Sequence, residues 1–142
     1  MAFAAPRHEH FAHDADIGVR GRGRTLAEAF AQAGMALTAV VTDPATVQET
    51  LSVELACESS EPEGLLFDWL NAVVFEMATR DVLFARYEVE IEGERLRARG
   101  FGEPVVVERH QPAVEVKGAT MTALRVAREA DGSWVVECVV DV

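Results

Sequence analysis

At 142 residues, 49% of them hydrophobic and 26% charged, the chain has the size and mixture of one folded domain, residues 1–142, and not of a disordered or low-complexity protein. A domain of this length buries roughly 68% of the surface its unfolded chain exposes. The net charge of −11 excludes strong attraction to phosphate backbones, so direct nucleic-acid binding is not expected and a cation or a basic protein is the natural partner. No apolar run is long enough to span a bilayer, and Met1 to Pro6 is too short for the core of an export signal, which predicts a cytoplasmic protein. Cys57 and Cys138 are too few for a disulfide framework, and each sits among apolar neighbours as a small hydrophobe.

His8, His10 and His13 come first, read either as metal ligands or as scattered surface histidines. His13-Asp14-Ala15-Asp16-Ile17-Gly18 then precedes an apolar, extended stretch, and Gly21-Arg22-Gly23-Arg24 is a turn into the first helix. That turn has two readings, a phosphate site at a helix N-terminus or an ordinary strand–helix junction. Thr25-Leu26-Ala27-Glu28 is a capping box. Apolar residues recur at Leu26, Ala29, Phe30, Ala33, Leu37, Val40 and Val41, the spacing of one buried helical face, until Asp43-Pro44 ends the helix. Val47 to Cys57 alternates as a half-buried strand. Ser60-Glu61-Pro62-Glu63 predicts a second helix with Ser60 as its cap and an inward stripe of Leu66, Trp69, Leu70, Val73 and Met77, which Phe67, Val74 and Phe75 widen.

Two hairpins follow. Tyr87–Glu92 and Arg95–Arg99 flank Gly93-Glu94, a two-residue loop led by glycine. This register opposes Glu92 to Arg95, Glu90 to Arg97 and Glu88 to Arg99, with Ile91 on Leu96 and Val89 on Ala98 across the other face. Phe101 to Pro112 is the long irregular stretch, of a length that is often functional. The second hairpin joins Met121–Glu129 to Ser133–Val140. A two-residue Asp131-Gly132 turn would put Leu124 and Val126 out of phase with Trp134, Val136 and Cys138. The odd loop Ala130-Asp131-Gly132 opposes Val126 to Val136 and leaves Asp141 on the face opposite Val140. Strand, helix, strand, helix and at least four more strands predict an α+β domain: one largely antiparallel sheet with two helices on one face.

Little in the chain reads as catalysis. No Gly-x-Gly-x-x-Gly follows a strand into a helix, no Gly-x-Ser-x-Gly is present, and no serine or cysteine nucleophile has a partnered base. The strongest chemistry lies at the two ends. Asp14 and Asp16 near one and Asp141 beside the carboxylate of Val142 at the other make three or four hard oxygen donors, the set that Ca²⁺ or Mg²⁺ takes, provided the fold brings the ends together. The competing reading is turn chemistry at a strand end.

The same residues resemble a known family. His13-Asp14-Ala15-Asp16-Ile17-Gly18, followed by Gly23-Arg24-Thr25-Leu26-Ala27-Glu28-Ala29-Phe30, is similar to the opening of the archeases, His-Thr-Ala-Asp-Ile/Val-Gly and then Gly-x-x-Leu-x-Glu-Ala-Phe. The similarity runs on through Thr42-Asp43, Leu65–Asn71, Val82-Leu83-Phe84, Gly102-Glu103, Glu108-Arg109-His110 and Glu115-Val116-Lys117 to the terminal Asp141-Val142. It implies a non-catalytic activator of an RtcB-type GTP-dependent RNA ligase in tRNA splicing, one that promotes guanylylation and turnover. It further implies a divalent cation (Ca²⁺ or Mg²⁺, with Mn²⁺ a third option) held by Asp16, Asp141 and the carboxylate of Val142. Two positions depart from the family pattern: Asp14 stands for its Thr, and Met121-Thr122 for the Tyr-His of Lys-Ala-x-Thr-Tyr-His. Lys117, the chain's only lysine, reads equally as a partner for a nearby carboxylate and as a plain surface residue. Two other functions compete: a metal-dependent hydrolase using Asp14, Asp16 and Asp141, which lacks a positioned base, and a chaperone-like module contacting clients through Trp69 and the broad stripe of the second helix.

Overall fold

Asp14 has a φ of 51°, and this left-handed residue folds the first extended stretch back on itself. The computed structural model describes residues 5–142, and its first element is therefore a hairpin, β1 (Arg7–His13) with β2 (Asp16–Gly23), where sequence pattern alone suggests a single strand. The first helix, α1 (Leu26–Val41), starts as its capping box predicts, with the Thr25 hydroxyl accepting from the Glu28 amide at 3.1 Å. The Glu28 carboxylate reaches back to the amide of Arg24, one residue beyond the usual partner. Asp43 and Pro44 end the helix and open a short 3-10 turn.

β3 (Leu51–Glu58) buries Val53 and Leu55 and exposes Ser52, Glu54 and Ala56, as the alternation requires. The second helix, α2 (Pro62–Arg80), is capped by Glu61 without a side-chain hydrogen bond; Ser59, not Ser60, accepts from the Glu61 amide. Its end is set by Asp81, left-handed at φ 53°. Leu66, Trp69, Leu70 and Val73 are buried as expected, whereas Phe75 is 62% exposed and lies outside the inward stripe.

β4 (Val82–Glu92) and β5 (Arg95–Pro104) pair in the register read from their charges, with Glu92, Glu90 and Glu88 opposite Arg95, Arg97 and Arg99. β5 is also the centre of its sheet, which changes who holds its arginines. Arg95 and Arg99 lie 3.4 Å from Glu58 and Glu54 of β3, so they are shared between two rows of carboxylates. Arg97 has Ala56 on the β3 side, which leaves Glu90 as its directly opposed carboxylate. A reversal of Glu90→Arg alone, or of Arg97→Glu alone, is expected to cost up to about 1 kcal/mol by opposing like charges. The double reversal should recover most of that loss in thermal melts; a double mutant as unstable as the worse single one contradicts the pairing.

The segment expected to be irregular is partly ordered: Phe101–Pro104 belongs to β5, and α3 (Val107–His110) forms one short turn of helix. β6 (Gly118–Ala119), β7 (Arg125–Arg128) and β8 (Trp134–Asp141) complete the chain. β7 and β8 pair Val126 with Val136 around a loop in which Gly132 has a φ of 89°, the three-residue loop that phase demands. The hairpin is shorter than its sequence suggests, because left-handed Ala123 (φ 55°) turns the chain just before β7.

The α+β class holds, and its antiparallel strands divide into two sheets. One runs β1-β2-β8-β6, with β7 also on β8, and the other runs β3-β5-β4. Each helix touches strands of both sheets, α1 chiefly β2 and β4, α2 chiefly β3 and β6. The physical reason is the width of their apolar faces, which converge with both sheets on one core. Close approach has its own requirement: a Cβ at Gly21 would lie 2.2 Å from the Ala29 carbonyl, so glycine lets α1 sit directly on β2. This assigns the Gly21–Arg24 segment to helix packing, the strand–helix junction of the two readings above. Trp69 is fully buried and donates its indole N–H to the Phe30 carbonyl at 2.9 Å. It stacks edge-on to Tyr87, whose hydroxyl is 2.8 Å from that of Thr38. Trp69 is therefore a core residue and cannot be the client-facing contact of a chaperone-like module. Burial pushes the Cys57 thiol up to about 11 and the Cys138 thiol to about 12, so both stay protonated and inert at neutral pH.

Candidate functional site

The two ends of the chain meet across β2 and β8. Ile17 pairs with Val140 as the last rung of that antiparallel ladder, and Asp16 and Asp141 are the next residues beyond it, opposed if the register continues one step. Directly opposed residues share a face with Cβ atoms about 4.5–5.5 Å apart. This face is the one opposite inward-pointing Val140, as the phase of the second hairpin predicts; Val140 is fully buried and Asp141 exposed. On its other side, Asp141 pairs with Gly118, and its carbonyl accepts from the Lys117 amide at 2.8 Å. Asn71 of α2 holds this edge by accepting from the Ala119 amide at 3.0 Å. Val142 follows, packed partly against the core.

Two opposed carboxylates repel each other unless a cation lies between or beside them. Among the described residues, neither Asp16 nor Asp141 has a basic side chain within 4 Å. The side-chain groups here are carboxylates, hard oxygen donors of the kind that suit Ca²⁺ or Mg²⁺ and not a thiol-seeking metal. No three His, Cys, Asp or Glu side chains converge on one point among the described residues.

Other candidates separate. Asp14 sits at the tip of the β1–β2 turn, 93% exposed and 3.9 Å from the His13 ring, so Asp14, Asp16 and Asp141 do not form the cluster a hydrolase would need. His8 and His10 face α1, His8 against Gln32 at 3.3 Å and His10 against the Ala36 carbonyl at 2.7 Å, and they form no metal group with His13. Lys117 is exposed. Met121 and Thr122, in place of the family's Tyr-His, lie on an exposed turn beside β8.

One buried polar network escapes the sequence reading. Glu103 is buried and accepts from the Gln48 amide at 2.6 Å, from His110 Nε2 at 3.0 Å and from the Arg109 guanidinium. The Gln48 amide first, then His110 and Arg109, hold the Glu103 carboxyl below the usual carboxylate range. His110 Nδ1 accepts from the Val106 amide at 2.8 Å, so the hydrogen on this ring is the one Nε2 gives to Glu103. The His110 carbonyl accepts from Thr42 at 2.6 Å, and the Ala113 amide donates to Val41 at 2.8 Å. The connection from β5 to β6 is thus tied to the end of α1. Gly102-Glu103 and Glu108-Arg109-His110 were visible as motifs, but short sequence separation gives no sign that they close on each other.

Comparison with known proteins follows the same residues. The family model described as the Archease protein family (MTH1598/TM1083) matches residues 8–142. The protein archease of Thermococcus gammatolerans is 36% identical over 139 residues, covering 95% of this chain and 98% of its own. The protein archease of Pyrococcus abyssi is 34% identical over 140 residues, covering 96% and 99%. The solution structure of Methanobacterium thermoautotrophicum protein 1598 superposes with a TM-score of 0.84 at 29% identity, covering 95% of this chain and 98% of that one.

Proposed function

The chain belongs to the archease family, and we propose that it serves tRNA-splicing ligation as a non-catalytic, cation-binding activator of an RtcB-type GTP-dependent RNA ligase. In general terms the family makes it an accessory protein of tRNA-splicing ligation; the finer reading is that its partner is the RtcB-type ligase, whose guanylylation and multiple turnover it promotes. The observation that supports it is the β2–β8 register, which places Asp16 and Asp141 just beyond its last rung, with Val142 the next residue of the chain. These three groups would hold a divalent cation, and when bound it supplies a concentrated positive charge for phosphate or carboxylate oxygens at the contact. The β6 edge, fixed by Lys117 and Asn71, orients the Asp141 backbone. A net charge of −11 steers the protein toward a basic ligase and speeds encounter more than it adds affinity.

The test is multiple-turnover ligation by the cognate ligase with GTP and Mn²⁺, with and without this protein. Faster turnover is expected with it, and neither ligation nor GTP consumption by the protein alone. High salt should blunt the stimulation, because surface charges are screened beyond about 10 Å at 0.1 M. Unchanged ligase kinetics at saturating protein would sink the reading.

A further inference from the structure

A groove of ≈ 280 Å³ runs between the C-terminal half of α2 and the connection from β5 to β6. One wall is Val74, Met77 and Ala78; the other is Val105, Pro112 and Val114. Four of the five exposed large apolar residues among those described, Phe75, Val106, Val107 and Val114, belong to these same two stretches of chain. Exposed apolar surface concentrated in one region marks an interaction site, whereas single scattered residues do not. The groove is also preformed. The Asp81 carbonyl accepts from the Val105 amide at 3.0 Å and ties the two walls together, while the Ala113–Val41 bond and the Glu103–His110 network hold the far wall down.

Its charge identifies the occupant. The lining carries two ionisable side chains, Asp81 and Glu115, both acidic. Of the neighbouring cations, Arg80 is engaged by Glu76 and Arg109 by Glu103, while exposed Lys117 pairs with no carboxylate; neither Asp81 nor Glu115 has a basic group within 4 Å among the described residues. An apolar trough edged by unpaired carboxylates suits aliphatic side chains carried beside Lys or Arg. A second copy of this chain, at −11, would be repelled.

We propose that this groove receives a segment of a partner protein that presents aliphatic side chains flanked by Lys or Arg. The assignment stands apart from the cation site, since Asp16, Asp141 and Val142 do not line the groove. Selection of a displayed library of random peptides, each about 15 residues as suits a groove-bound segment, against the full chain tests it. Enriched peptides should combine aliphatic residues at regular spacing with net positive charge.

Synthesised singly, these peptides should bind Val114→Ser or Ala78→Glu at least about tenfold more weakly, as loss of a central apolar contact does. They should bind Asp81→Asn with Glu115→Gln roughly threefold more weakly at low salt, and that difference should shrink as salt screens it. Ala78 is exposed on a helix, so its variant keeps the test open if Val114→Ser unfolds. No enrichment, enrichment of acidic or uncharged sequences, or binding that all three variants preserve overturns the proposal. Self-association of the wild type that Ala78→Glu abolishes would do the same, because the occupant would then be a second copy.

Discussion

Appending residues after Val142 is expected to weaken divalent-cation binding by at least about tenfold in calorimetry, since loss of even an outer partner of a metal site typically costs about 10–100-fold. The extension keeps every side chain and converts one carboxylate to a peptide, removing a negative donor from a hard-cation site. An N-terminal tag adds similar bulk without touching that donor and should matter less. Asp16→Ala and Asp141→Ala should lose affinity and ligase stimulation together, because the register, continued one step, opposes these two carboxylates. Without cation neither variant should melt below wild type, since each removes a like-charge contact. An extended protein that binds and activates normally would rule out the Val142 carboxylate as a ligand.

Trp69→Ala is expected to destabilise the fold by about 3–5 kcal/mol, the usual range for emptying a buried aromatic site. Trp69 is fully buried, lies against Tyr87 at 5.4 Å between ring centres, and hydrogen-bonds the Phe30 carbonyl of α1. Trp69→Phe keeps most of the volume and removes the indole bond to a carbonyl that stays within the helical ladder of α1, which should cost about 0.5–1.5 kcal/mol. Denaturant melts with constant slope are the measurement. A side chain facing clients would show the reverse pattern, with little stability lost and binding gone. Equal stability of wild type and Trp69→Ala would remove Trp69 from the core and reopen the chaperone-like reading.

Local patterns in the chain were sufficient wherever neighbouring residues alone decide the outcome. Thr25 and Glu28 mark the start of α1 because capping is satisfied within one turn. The Glu and Arg rows of β4 and β5 determine their register because a one-residue slip would put every charge on the wrong face. Phase likewise chose the three-residue loop before Ser133, and with it the outward side of Asp141. The residues at the two chain ends already carried hard-oxygen chemistry, and their likeness to the archeases singled out Asp16, Asp141 and Val142.

Tertiary structure decided what depends on contacts far apart in sequence. Alternation within a strand says which face is apolar and not which sheet the strand joins, so the division into two sheets follows from α1 and α2 each packing on both. The hairpin at Asp14 is hidden because a left-handed aspartate has no distinctive sequence spacing. Glu103 and His110 become a buried pair only when the chain turns back over Thr42. Asp16 and Asp141 stand 125 residues apart (141 − 16), and only pairing of β2 with β8 makes them neighbours. The sequence by itself determines which oxygens are candidate donors, because their chemistry is carried by residue type. Their meeting is decided by tertiary structure, because a ladder of backbone hydrogen bonds across a shared core sets it.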